Sequence, residues 1–197
     1  MSDAPRSRLA RPELQSSTPA TERDFGPRVH EIPDGDSRAR LVCPDCGFIN
    51  YENPKVVVGA VIVHDDRILM CRRSIHPRRG YWTIPAGYLE LGESTADGAR
   101  REAREEACAE IEIEGLLGLY SIPRISQVQL IYRARMATPD FAAGEESEAA
   151  ELYRWDDIPW AQIAFPSVHW ALAHYLETKG QAVFAPRGNP PGLTGGS

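Results

Sequence analysis

Residues 94–108 carry a helical pattern whose inward stripe is alanine: Ala99, Ala103 and Ala107 recur at i, i+4 and i+8. Ser94 stands where an N-cap belongs, with Asp97 three residues later in the acid position of a capping box. A stripe of methyl groups lets a helix lie close to a sheet, so this element needs strands beside it. The sequence supplies them. Lys55–His64 is a β-branched run with Gly59 inside it, the pattern of a strand covered on both faces. Asp65-Asp66 turns it back into a second strand over 67–72, and 81–84 reads as a short aromatic strand stopped by Pro85 and Gly87. Strands over 110–121 and 125–136 follow. In the latter, Val128, Leu130, Tyr132, Ala134 and Met136 alternate with Gln127, Gln129, Arg133 and Arg135, which predicts one buried face. A short strand at 152–155 and a helix over 167–177 complete the set. Strands on both sides of a central helix, with a second helix at the end, predict an α/β chain folded as an α/β/α sandwich over a mixed sheet.

The 197 residues suffice for one domain with a sizeable core. A net charge of -6 argues against a nucleic-acid partner, which wants a basic surface, but not against a small anionic substrate met by a local cation. The longest apolar run, from Val56 to Val63, is too short to span a membrane, and no apolar segment follows Arg6, Arg8 and Arg11 to make a secretory signal. Of Cys43, Cys46, Cys71 and Cys108, only the first two form a motif, so a reducing cytoplasmic location is expected. Residues 1–28, rich in Ser, Pro, Arg and Thr, are expected to be disordered, and 180–197, dominated by Pro and Gly, to form a flexible tail.

The chemistry concentrates on the alanine-striped helix. Glu102, Glu105 and Glu106 fall at i, i+3 and i+4, which places three carboxylates on one face. Like charges so spaced repel, and a divalent cation removes the conflict; oxygen ligands suit Mg²⁺ or Mn²⁺. A solvated acidic face, with Arg100, Arg101 and Arg104 as partners, is the bland alternative. Against it stands a Gly-bounded loop before the helix that carries a further acid, Glu93.

Gly87, five residues, Glu93, seven residues, then Arg101-Glu102-Ala103-Arg104-Glu105-Glu106 resembles the box of the Nudix hydrolase family, with Cys108 where the pattern ends in Gly. The resemblance implies that Glu102, Glu105, Glu106 and the Gly87 carbonyl bind the metal. It implies further that Arg101 pairs with Glu93, and that water attacks a diphosphate to release a nucleoside monophosphate. Either Glu105 or Glu106 is available to take the proton, and coupled carboxylates are not separable from sequence. The catalytic set is thus Glu93, Arg101, Glu102, Glu105 and Glu106.

Cys43-Pro44-Asp45-Cys46-Gly47 is similar to one knuckle of a zinc ribbon, as found at the N-terminus of a Nudix subgroup that includes bacterial zinc-ribbon Nudix proteins and a plant FAD pyrophosphatase. Its second C-x-x-C is missing: the corresponding stretch reads Arg23-Asp24-Phe25-Gly26-Pro27-Arg28. Structural zinc is therefore not expected, with His30 as a third ligand at most, and residues 29–54 are expected to persist as a degenerate flap packed by Phe48, Ile49 and Tyr51. Residues 55–179 then form the Nudix domain. Subgroup likeness points to FAD, ADP-ribose or NADH as substrate, with Arg73, Trp82, Tyr88 and Glu146 as substrate-binding residues and Tyr120 as a further aromatic near the site. The expected partners are a small-molecule dinucleotide and, for assembly, a homodimer, with neither nucleic acid nor membrane. Two rivals stand beside hydrolysis: a Nudix-fold regulator that binds a nucleotide without cleaving it, and an interaction module built on the ribbon.

Overall fold

The structure, a computed structural model, describes residues 26–192. Most of the stretch expected to be disordered, residues 1–25, lies outside them, as does 193–197. The chain divides into two compact units between Glu52 and Asn53.

The first unit is a three-stranded antiparallel sheet of β1 (Val29–Glu31), β2 (Arg40–Val42) and β3 (Ile49–Asn50). The cysteine knuckle forms as the motif requires: Gly47 N–H donates to the Cys43 carbonyl at 2.8 Å, and Cys43 N–H to that of Phe48 at 2.8 Å. Gly47 takes a φ of +74°, open to glycine at little cost. The aromatic packing expected of this unit does not occur, since Phe48 and Tyr51 are more than half exposed. Too few apolar residues are present to cover them. Instead the Arg28 guanidinium grips both oxygens of Asp45, inside the knuckle, at 2.7 and 3.0 Å, and Arg40 pairs with Asp36 at 2.9 Å.

In the second unit the strands β4 (Lys55–His64), β5 (Arg67–Arg73), β8 (Ile111–Ile122), β9 (Gln127–Met136) and β10 (Ser147–Arg154) run in the order β10-β5-β4-β9-β8. The β4–β9 ladder is parallel and the others antiparallel, so the sheet is mixed. Helix α1 (Thr95–Ala107) covers one face and α2 (Pro166–Thr178) the other. This explains the uninterrupted apolar run in β4: Ala60 and Ile62 pack with Ala103 and Ala107, while Val61 packs with Trp170, Ala171 and Leu172 on the opposite face. The fold is the α/β/α sandwich expected from the sequence. No helix among the described residues is long and apolar enough to cross a membrane.

Two details position the site. The last residues of β4 pair with β5, but its first half pairs instead with β7 (Ala86–Tyr88), while β6 (Trp82–Thr83) pairs with the end of β5. The two central strands therefore splay, and the segment from Thr83 to Gly87 lies between them. Gly59 permits this: a Cβ there would sit 2.3 Å from the Ala86 Cβ and 2.6 Å from the Pro85 carbonyl oxygen. Secondly, residues 184–189 do not form the loose tail expected. Arg187 makes a parallel bridge to Gly118, exchanging bonds of 2.8 and 2.9 Å with Leu119 and Leu117, and Asn189 clamps Ser121. Phe184 sits over Gly115, with the Arg133 guanidinium 4.1 Å from its ring centre. The segment shields the free edge of β8, whose open backbone groups would otherwise invite another strand. Arg133, expected on the polar face of β9, is in fact buried, and it donates to Glu114 and to the carbonyls of Thr178 and Gln181.

The first 52 residues contain two cysteines and one histidine, fewer than the four ligands of a structural zinc, and the acid inside the knuckle is held by Arg28. Elemental analysis of the purified chain is expected to find far less than one zinc per chain. One tightly held zinc would mean that the unit recruits ligands in some other way.

Candidate active site

The carboxylates are set out by α1. Ser94 caps it, its hydroxyl oxygen accepting from Asp97 N–H at 3.2 Å, and Cys108 ends it in the left-handed region at φ 48°. Ala109 N–H closes on the Ala103 carbonyl and Cys108 N–H on that of Arg104, so the terminus forms properly without the glycine. The alanine stripe faces the sheet, and Glu102 and Glu106 emerge at its margin. Both are buried, at 7% and 5% exposure, while the side chain of Glu105 is more than half exposed.

Arg101 gathers this face. Its Nε and Nη2 hold the two oxygens of Glu93 at 3.1 and 2.8 Å, Nη2 also reaches the Tyr88 carbonyl at 2.9 Å, and Nη1 donates to Glu102 and Glu105 at 2.7 and 2.8 Å. Glu93 in turn accepts from Glu90 N–H at 2.8 Å. The Arg101 bond, then the Glu90 amide, keep the Glu93 carboxyl below its usual range. The loop from Tyr88 to Glu93 is thereby tied to the helix at one guanidinium.

Glu106 has no such partner. It accepts one bond, from Ala86 N–H at 3.1 Å. Burial pushes its carboxyl up to about 8, and the charges of Glu102 and Glu146 push the same way against the Ala86 amide and Arg73. Burial also raises Glu102, helped by Glu105 and Glu146 and opposed by Arg101. Two buried carboxylates beside an exposed third, with Arg101 bonding only Glu102 and Glu105, are under-compensated, and this donor chemistry fits a hard divalent ion. Among the described residues no three His, Cys, Asp or Glu side chains converge as a ready cage, because Glu102 and Glu105 are turned to Arg101. Gly87 abuts the same group: a Cβ on it would lie 2.4 Å from Glu102 Oε1.

The acids form one wall of a cleft of about 1150 Å³. The loop at 144–146 brings Glu146 to it, since Gly144 N–H bonds the Glu106 carbonyl at 3.1 Å and a side chain at 144 would collide with the end of α1. Arg73 also lines the cleft, beside Phe165 at 5.3 Å, as does the half-exposed Tyr88. Trp82 does not, and its expected role in binding is corrected: the ring is 6% exposed and packs edge-on against Tyr153 at 5.1 Å, because alternation along the β6 segment turns it into the core. Tyr120 is likewise fully buried, bonded to His174 Nδ1 at 2.8 Å. Glu148 is held by Arg72 and Arg79 at the start of β10. Sequence reasoning did not find Ala86, Gln127, Gln129 or Phe165, all of which line the cleft. The two glutamines carried a signal, as polar residues at every second position of a strand, but it reads equally as a solvent face.

The profile of the NUDIX domain matches residues 53–176, and that of the Nudix N-terminal zinc ribbon matches 26–52. An ADP-ribose pyrophosphatase of Methanocaldococcus jannaschii is 29% identical over 119 residues, 58% of this chain and 69% of that protein. An NAD-capped RNA hydrolase of Klebsiella pneumoniae is 31% identical over 66% of this chain, which spans about half (51%) of its length. The crystal structure of a Nudix hydrolase from Nitrosomonas europaea superposes with a TM-score of 0.76 at 42% identity, covering 82% of this chain and 93% of that one.

Gly87→Ala tests the close approach of this glycine to the Glu102 carboxylate. The Glu102 carboxylate is the movable partner, so the fold is expected to survive with a melting temperature within a few degrees of wild type. Mn²⁺ affinity, measured by calorimetry, should fall about tenfold or more. Unchanged affinity would show that Glu102 is not a ligand.

Proposed function

The chain belongs to the NUDIX family, and on that premise we propose that it hydrolyses, with Mg²⁺ or Mn²⁺, the diphosphate of a nucleoside-diphosphate compound, releasing a nucleoside monophosphate. The observation that carries this reading is one cleft that joins a buried, under-compensated acid wall to a wide apolar wall that includes Ile122, Ile131 and Phe165. At about 1150 Å³ the cleft is at the upper end of small-molecule sites and has room for a dinucleotide.

Glu102, Glu105, Glu106 and the Gly87 backbone would hold the cation, which supplies charge neutralisation at the phosphates and a more acidic water. Arg101 divides its work. Nε and Nη2 keep Glu93 and the Tyr88 carbonyl, so Nη1 is able to release Glu102 and Glu105 without freeing the loop. The proton of the attacking water passes to Glu105 or Glu106. Glu146 closes the acid wall from the other side, and Arg73 presents a cation toward the phosphates beyond it.

Glu106→Gln is nearly isosteric and keeps an oxygen for Ala86 N–H. Turnover is expected to drop by about a hundredfold or more, with folding retained. Wild-type rates in excess chelator would refute metal dependence. Nucleotide binding with no release of monophosphate, under any divalent metal, would favour the regulator reading instead.

Among substrates we place FAD and ADP-ribose first. The metal-held diphosphate is common to both, so preference arises at the remote group. One stacking contact, with Tyr88 or Phe165, adds about 0.5–1.5 kcal/mol, or roughly tenfold at most. Overlapping activity is expected, with FMN and AMP as the products from FAD. A kcat/KM for nucleoside triphosphates more than about a hundredfold higher would overturn this ranking.

A further inference from the structure

The cleft has a second polar strip, away from the acids. Gln127 and Gln129 stand two residues apart on β9, so their side chains share a face, and both are half-buried. Gln129 Nε2 donates to Gln127 Oε1 at 3.3 Å, and Gln127 Nε2 donates to the Tyr88 hydroxyl at 3.3 Å. Three side chains from β9 and β7 thus form one directed chain along the wall. All three line the cleft, next to Val57, Ile122 and Ile131.

This chain is only partly satisfied. Each amide carries two N–H donors and one carbonyl oxygen, and Gln129 Oε1, a second N–H on each glutamine and the Tyr88 hydroxyl hydrogen make no bond to the described protein. Gln129 Oε1 is not sealed in the interior, since among the described residues no buried side-chain N or O lacks a partner. Two half-buried amides amid aliphatic neighbours cost desolvation that the 3.3 Å bonds return incompletely. The strip is uncharged and offers donors and acceptors side by side. That is poorly matched to phosphate, which takes cations, and well matched to the edge of a neutral heterocycle bearing its own alternating donors and acceptors. The half-exposed ring of Tyr88 stands beside it, with the Lys55 ammonium 5.2 Å from the centre of one face and the other face left for a planar ring.

We infer that Gln127, Gln129 and Tyr88 read the hydrogen-bonding edge of the substrate's planar heterocycle, and so set specificity beyond the diphosphate. The inference rests on the reading of the cleft as a diphosphate-hydrolase site. The same edge chemistry is found in adenine and in the pyrimidine ring of isoalloxazine, and the test separates them.

Gln129→Leu keeps the size of the side chain and removes its polar atoms. Steady-state kinetics with FAD and with ADP-ribose, which share the AMP half, are expected to show KM raised about tenfold and kcat within about twofold of wild type. A rise for both substrates identifies adenine as the heterocycle read; a rise for FAD alone identifies the flavin. Either supports the inference, provided that the melting temperature is unchanged. KM values within twofold of wild type for both substrates, or a loss confined to kcat, would overturn it. Equilibrium titration of the full chain with AMP and with FMN gives a readout independent of turnover. If wild type cleaves no diphosphate, the functional reading fails, while weaker binding of either mononucleotide to Gln129→Leu still supports the strip's role. Equal binding by both proteins overturns it.

Discussion

One guanidinium holds the acid face together. Arg101 bonds three carboxylates and a backbone carbonyl, joining the loop after β7 to the middle and second half of α1. Without it, Glu102 and Glu105 on the helix and Glu93 in the loop before it would stand together with nothing to offset their mutual repulsion, and the loop would lack its anchor. The fork geometry matters: Arg can bind Glu93 with two nitrogens and still present a third to its neighbours, which a lysine cannot do. Glu106, one turn on from Glu102, lies beyond its reach. That is why Glu106 alone among the three is left to burial and a single amide.

The carboxylates reach a cleft only because the sheet opens in front of them. β4 cannot pair with β5 along its whole length, since the segment carrying Ala86 and Gly87 occupies the gap. Gly59 is what lets that segment come so near. The splay turns the end of a packed sandwich into a cleft, with α1 supplying acids from one side and β9 its glutamines from the other. Elsewhere the sandwich is closed tightly: both helices pack on β4, and the segment at 182–189 covers the edge of β8.

The two units contain opposite solutions to a shortage of contacts. The second has enough apolar surface to bury a core on both faces of its sheet. The first, at 26–52, leaves Phe48 and Tyr51 exposed and relies on a knuckle turn and on Arg28 and Arg40 paired with Asp45 and Asp36. Ion pairs near the surface add little stability, and with its aromatic rings left in solvent this unit owes little of its form to a core.

What the sequence determined by itself was whatever local spacing dictates. The period of the alanines and the cap at Ser94 define α1. The i, i+3, i+4 spacing puts the acids on one face, and the β-branched run at 55–64 makes a strand covered twice. The Gly87–Glu93–Arg101 intervals define the box. Each depends on residues within about a dozen positions of one another, where backbone geometry leaves few choices. Tertiary structure decided the rest, because it rests on which distant segments meet. Trp82 and Tyr120 were plausible ligand-stacking residues until packing turned them inward. Arg133 was a surface charge until the chain beyond α2 enclosed it. Gln127 and Gln129 became part of a cleft wall only because β7 lies beside β4. A polar residue on a strand has the same local signature facing water or facing a cleft, and only the layer above it tells the two apart.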